Sequence, residues 1–75
     1  MSNIYSYAIM AEKSYKPGEF YFMFGFRTLT TLRKRFNKIK EYISKYSNRK
    51  HEHIILCARD YEGNIIKIYE EIPEV

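Results

Sequence analysis

Two histidines and a cysteine in one stretch form the clearest metal-binding pattern of the chain. His51 and His53 lie two residues apart and Cys57 follows four residues later, so an extended strand would turn all three to one side. Zinc usually takes four protein ligands, or three and an open position. Histidines beside Lys50 at the start of a strand are more often exposed polar residues. We therefore expect neither a metal site nor a cofactor.

The sequence also lacks the residue patterns of catalysis. Cys57 lies among apolar residues, where a cysteine is usually a small buried side chain, whereas a nucleophile would need an activating base and a pocket. The carboxylates of the C-terminal segment are dispersed or terminal. No GxxxxGK, GxGxxG or HExxH motif is present. We therefore expect a protein that is not an enzyme.

Basic residues are concentrated in the middle of the chain. The formal net charge is +4, but residues 27–50 hold nine basic residues and one acid, which amounts to +8. Residues 51–75 hold two basic residues and six acids, and the first 26 residues are neutral. This asymmetry indicates nucleic acid or an acidic protein surface as the partner of the middle segment. A lysine-rich helix face can also serve solubility alone.

Length and composition predict one small domain over residues 1–75. The scaling of accessible surface with chain mass indicates that such a chain buries roughly 60% or slightly more of its unfolded surface, which suffices for one core. With 45% hydrophobic and 17% aromatic residues, the composition excludes disorder over most of the length. A single cysteine cannot form an internal disulfide, which favours a reducing compartment such as the cytoplasm. No apolar run approaches the roughly 20 residues of a membrane span, so we expect no membrane partner.

Two hairpins are predicted, one on each side of the basic segment. Their strands cover about residues 4–12, 19–27, 53–59 and 65–72. Pro17-Gly18 has the chemistry of a type II turn in the first hairpin, and residues 60–64 form the turn of the second. The second strand carries phenylalanine at every other position, namely Phe20, Phe22, Phe24 and Phe26. We expect these four rings to share one face of the sheet.

A single amphipathic helix is predicted over about residues 30–46. Its apolar residues are spaced three and four apart and form a stripe about 100° wide, made of Leu29, Leu32, Phe36, Ile39, Ile43 and Tyr46. Asn48 is the expected C-cap. The basic residues occupy the rest of the surface: Lys34, Lys38 and Lys45 lie opposite the stripe, Arg33 and Lys40 on one flank, and Arg35 on the other.

These elements predict an α+β fold, a two-layer β-β-α-β-β sandwich. One helix packs on one face of a four-stranded, mainly antiparallel sheet, with the phenylalanine face beneath it. An entirely antiparallel sheet results if the strands follow the order 1-2-4-3. The opposite face would then carry Tyr21 and Met23, and an exposed aromatic sheet face is typical of a dimer or partner interface. We therefore expect a homodimer.

The pattern as a whole favours a small protein that binds nucleic acid, DNA or RNA, through the basic helix and with little sequence preference. The contact residues expected are Arg33, Lys34, Arg35, Lys38, Lys40, Lys45, Arg49 and Lys50. One alternative is an inhibitor encoded by a virus or phage, which binds a host protein such as a CRISPR effector or another nucleic-acid enzyme. The other is a structural homodimer whose basic face serves solubility.

Overall fold

The structure, a computed structural model of the chain, describes residues 3–46 and 50–74. Within these residues the chain forms four strands and one helix. Their bounds are β1 Ser6–Glu12, β2 Phe20–Phe26, α1 Leu29–Lys45, β3 Ile54–Arg59 and β4 Ile65–Ile72. The strands make one sheet and the helix packs on one side of it. The predicted α+β sandwich is confirmed.

The sheet is antiparallel throughout, and its strands follow the order β2-β1-β3-β4. The sequence left the strand order open and named 1-2-4-3 only as one arrangement that makes the sheet antiparallel, whereas in the structure β1 and β3 pair with each other at the centre. A central strand has a neighbouring strand at each edge, so the side chains of its neighbours shield its residues on both faces, which favours continuous apolar residues over alternation. β3 is buried from Ile54 to Ala58 and β1 from Ala8 to Ala11, whereas the alternating strands β2 and β4 lie at the edges.

The main core lies between α1 and the sheet. Leu32 and Phe36 of the helix are fully buried, and the predicted stripe faces the sheet from Leu29 to Ile43. Tyr46, its last predicted member, is 37% exposed and is not part of this core. The buried members of this core are Ile9, Ala11, Leu32, Phe36, Ile54, Leu56 and Ile72. Leu29, Ile39 and Ile43 pack against them at the border of the helix. Burial of each large apolar side chain stabilises the fold by roughly 1.5–3 kcal/mol, so this side of the sheet holds the helix in place.

A β-bulge in β2 divides its phenylalanines between the two faces. Ile9 of β1 pairs with Phe24, but the next residue, Met10, pairs with Phe22, so Met23 is an extra residue and the alternation is reversed there. Paired residues of antiparallel strands point to the same side. Phe24 and Phe26 therefore lie on the helix side, and Phe20 and Phe22 on the other. The expected single phenylalanine face was wrong.

The same bulge moves Tyr21 and Met23 to the helix side. Met23 packs half-buried against the main core, and Tyr21 pairs with Ala11 and donates its hydroxyl to Glu52 at 2.5 Å. This hydrogen bond raises the pKa of Tyr21 because it stabilises the protonated phenol. The expectation that Tyr21 and Met23 line the uncovered face was therefore wrong.

The face of the sheet away from α1, called the open face below, has a smaller apolar cluster. Its buried members are Ala8, Met10, Ile55 and Cys57, bordered by Phe20 and Ile65. Phe22 and Ile68 belong to the same face, because they pair with Met10 and Cys57 respectively. Both side chains are more than two-fifths exposed. The open face is thus apolar and without a second layer among the described residues.

Candidate nucleic-acid interface

Three lysines form a row along the exposed side of α1, and we call Lys34, Lys38 and Lys45 the lysine ridge. At 1.5 Å per residue the row is about 16 Å long. All three side chains are exposed. None forms an ion pair with a carboxylate of residues 3–46 or 50–74, so their charges are available to a partner.

Two other helix cations predicted as contact residues are already paired within the fold. Arg33 Nε lies 3.1 Å from Glu70 Oε2, and Lys40 Nζ lies 3.3 Å from Glu70 Oε1. One carboxylate of β4 therefore holds both side chains on the β4 side of the helix. These partly exposed pairs add about 0–1 kcal/mol each to stability, but they also reduce the positive potential on that flank.

Arg35 projects from the opposite flank of the helix, toward β2. Its guanidinium carbon lies 4.5 Å from the centroid of the Phe24 ring, within the range of a cation–π contact. Beside this pair, a shallow pocket of about 170 Å³ opens between α1 and β2, lined by Phe24, Gly25, Phe26, Thr31, Leu32 and Arg35. The rings of Phe24 and Phe26 are 37% and 54% exposed. Among the described residues, the helix cations without a carboxylate partner thus adjoin exposed aromatic rings on the β2 side.

Two tyrosines continue this aromatic border toward the end of α1. The rings of Tyr42 and Tyr46 are in contact, with their centroids 4.7 Å apart. They line a second shallow pocket of about 220 Å³ together with Ile43, Lys50 and His51. Lys50, one of the predicted contact residues, is exposed and lies here.

The predicted contact residues therefore fall into three groups. The structure leaves Lys34, Arg35, Lys38 and Lys45 on the helix without a carboxylate partner among the described residues, and it places Lys50 beside Tyr42 and Tyr46. It pairs Arg33 and Lys40 with Glu70. Arg49, like the expected C-cap Asn48, lies outside the described residues. The aromatic residues beside the ridge were missed in the sequence. Their signal was the excess of phenylalanine in β2, which is more than one helix can cover.

His53 has a structural role at one end of the sheet. His53 lies between two carboxylates, with Nδ1 3.2 Å from Glu12 and Nε2 2.9 Å from Glu71, and it thereby connects β1 with β4. The backbone N–H of Gly18 and the ring of His53 lower the pKa of Glu12. Among the described residues, no group of three or more histidine, cysteine or acidic side chains is placed to hold a metal ion.

The thiol of Cys57 is enclosed in the open-face cluster. Its side chain is fully buried, and burial raises its pKa to about 11 because the thiolate would be poorly solvated there. A thiol with so high a pKa is protonated at neutral pH and is a poor nucleophile. Cys57 thus has the surroundings of a packing residue.

Comparisons of the chain with protein-family models, with curated proteins and with solved structures find no match. In the part of the chain that the structure describes, no helix is long and apolar enough to cross a membrane. The function is therefore inferred from the chemistry of the surface.

Proposed function

We propose that this chain is a small, non-enzymatic cytoplasmic protein that binds nucleic acid through the lysine ridge and Arg35, with little sequence preference. One observation carries the proposal: three lysines without an ion-pair partner in the described residues follow one line on a rigid helix. Lysine contacts to phosphate are independent of base sequence and supply most of non-specific binding.

The dimensions of the ridge suit a nucleic-acid backbone. Duplex DNA carries one negative charge per roughly 1.7 Å of its axis, so a row about 16 Å long meets several phosphates at once. The pairing of Arg33 and Lys40 with Glu70 leaves the positive potential strongest over the ridge and the β2 side of the helix. Four contacts, from Lys34, Arg35, Lys38 and Lys45, form the minimal set.

A titration at several salt concentrations tests this proposal. With four phosphate contacts, log affinity should fall against log salt with a slope of about −3 to −4. The triple variant Lys34→Gln, Lys38→Gln, Lys45→Gln should flatten that slope by about two to three units and leave the melting temperature nearly unchanged, since exposed lysines contribute little to stability.

A second triple variant serves as the control for net charge. Lys13→Gln, Lys16→Gln and Lys67→Gln remove the same total charge from outside the helix, where Lys13 and Lys16 are paired with Glu19. The slope of this variant should stay close to that of the wild type. If both triple variants weaken binding equally, or if the wild type does not bind at low salt, the ridge is not a nucleic-acid contact.

Exposed rings next to Arg35 favour a second candidate function, an inhibitor of virus or phage origin that binds a host protein. Aromatic residues and arginine are the side chains enriched at the energetic centres of protein interfaces. Here Phe24, Phe26 and Arg35 are adjacent and accessible. In this case the ridge would contact an acidic surface of that protein, for example a nucleic-acid enzyme such as a CRISPR effector, and purified nucleic acid would not bind.

Tyr21 and Met23 lie on the helix side of the sheet, so an interface between two copies of the chain would involve other residues. We propose a homodimer that forms through the open face, with Phe22 and Ile68 in place of Tyr21 and Met23. Half-exposed apolar side chains over a buried apolar cluster support it.

A further inference from the structure

Exposed aromatic rings lie in the groove between α1 and β2 and on the flank of α1 that borders it, and we call Phe24, Phe26, Tyr42 and Tyr46 the aromatic seam. Tyr42 belongs to this flank because it follows Arg35 by seven residues, two turns of the helix. Phe26 adjoins Thr31 in the first turns of the helix, and Tyr42 lies eleven residues further along it. At 1.5 Å per residue, Tyr42 thus lies about 16 Å along the helix axis from the Phe26 end of the seam, which is the length of the lysine ridge, and Tyr46 lies about 6 Å further on. Phe26 and Tyr42 are 54% and 56% exposed, so large aromatic surface is open to solvent at both positions.

The seam and the ridge lie on the same side of the helix. At 100° per residue, Lys38 and Lys45 are within about 60° of Tyr42 around the helix axis. Arg35 is on that flank as well, with its guanidinium over Phe24. One extended ligand can therefore contact the cations and the rings together, if it carries negative charge along its backbone and flat apolar groups beside it.

We propose that the aromatic seam stacks unpaired bases and that the ligand of this protein is single-stranded nucleic acid. This proposal rests on the proposed function and specifies its substrate. In a duplex the faces of the bases are stacked on one another and cannot reach Phe26 or Tyr42, whereas in a single strand they are available. A basic groove beside aromatic side chains is the arrangement with which proteins hold single strands.

The seam is also consistent with weak sequence preference. Every base offers an aromatic face, so stacking discriminates little between bases. Among the residues that line the pocket near Phe26, only Thr31 and Arg35 carry polar side chains. The Arg35 guanidinium lies over Phe24, and its N–H groups are those proposed above to contact a phosphate. The pocket thus has few side-chain groups for hydrogen bonds to base edges.

Fluorescence anisotropy with two labelled probes tests the proposal on the full chain. The probes are a thymidine oligonucleotide, which is unstructured, and a mixed-sequence DNA duplex of the same length, both at one low salt concentration. The wild type should bind the single strand at least about tenfold more tightly, because it adds stacking to the phosphate contacts. The double variant Phe26→Leu, Tyr42→Leu should lose roughly 5- to 100-fold in affinity for the single strand and remain within about twofold for the duplex.

Phe22→Leu is the matched control. Phe22 is 53% exposed and lies on the same strand as Phe26, but it is on the open face. This variant should bind both probes as the wild type does. Phe26→Tyr keeps a ring at the seam and should retain single-strand affinity, which separates loss of stacking from loss of fold. Thermal melts of all variants complete the comparison.

The outcomes distinguish failure of the seam from failure of the proposed function. Equal or tighter binding of the duplex overturns the seam and leaves the ridge as a duplex contact. An equal loss for both probes in Phe26→Leu, Tyr42→Leu, with the melting temperature unchanged, likewise overturns it. If neither probe binds at low salt, both proposals fail. In that case, a protein that binds the wild type but not the Phe26→Leu, Tyr42→Leu variant would show that the groove is a protein-binding surface.

Discussion

Asp60 organises the turn between β3 and β4 as a hydrogen-bond acceptor. Its Oδ1 atom accepts the backbone N–H groups of Glu62 and Asn64, both at 2.9 Å, and Gly63 completes the turn with a φ of 85°. The N–H donors stabilise the ionised form, so the pKa of Asp60 lies below its usual value. At the other end of the sheet, the hydrogen bonds from the Gly18 backbone and from His53 lower the pKa of Glu12.

These lowered pKa values predict loss of stability in acid. A carboxyl whose folded pKa is depressed stabilises the fold above its unfolded pKa of about 4, and this contribution disappears as the pH falls through the folded pKa, because the unfolded chain binds the proton more tightly. We expect the urea concentration at the unfolding midpoint to decrease as the pH is lowered from about 5 to about 3, that is, from one unit above that pKa to one unit below it. Asp60→Asn should start lower at neutral pH and decline less. A wild-type midpoint that is constant over this interval would contradict the prediction.

Phe36 is the residue through which α1 is held on the sheet. Its side chain is fully buried in the main core, beside Leu32 and against the central strands. Phe36→Ala should therefore cost about 3–5 kcal/mol, from lost burial and the cavity left behind, which is a large part of the stability of so small a domain. Phe24→Ala, at a ring 37% exposed, should cost clearly less. Urea denaturation compares the two, and similar midpoints would refute this account of the core.

The sequence predicted the elements better than their arrangement. The spacing of Leu32, Phe36 and their neighbours identified α1, and the predicted bounds of all five elements agree with the structure within about two residues, as expected where the periodicity is strong. The bulge at Met23 was not predictable, because one extra residue reverses the alternation without altering composition. The strand order could not be predicted, because no local sequence pattern determines through which strands the two hairpins pair.

The candidate site was partly predictable for a similar reason. The positions of the lysines on the helix follow from helical geometry, so the ridge was identified from the sequence alone. The pairing of Arg33 and Lys40 with Glu70 joins residues 30 or more positions apart, and only the fold brings them together. The aromatic seam was likewise not predicted, because the sequence placed Phe24 and Phe26 beneath the helix as buried residues, whereas in the fold both rings are more than a third exposed beside it.

At the scale of the whole molecule, the accessible surface exceeds what a chain of this size needs. The surface measures 5557 Å², whereas the scaling for monomeric proteins gives roughly 4,900 Å². The open face, with a single sheet layer and exposed apolar residues, contributes to this surface.

The charges at the two ends of the open face indicate how a second copy would fit. Arg59, over the Phe22 ring at 5.3 Å, marks one end, and Glu71 and Glu12 flank His53 at the other. A two-fold axis between the sheets and across the strands would bring Arg59 close to Glu71 of the partner subunit. Opposite charges then meet at both ends of an apolar centre, as in a self-complementary interface.

The homodimer prediction is tested by light scattering over a dilution series. The wild type should have twice the chain mass of 9.1 kDa at high concentration and dissociate on dilution. Phe22→Glu should remain monomeric, because dimerisation would bury its carboxylate among apolar side chains. In the monomer, Arg59 lies close enough to pair with that carboxylate, so the variant should still fold. Phe26→Glu places the same charge at an equally exposed ring on the helix side and should dimerise normally. A wild type that is monomeric at high concentration, or dissociation by Phe26→Glu and not by Phe22→Glu, would show that the open face does not pair with itself.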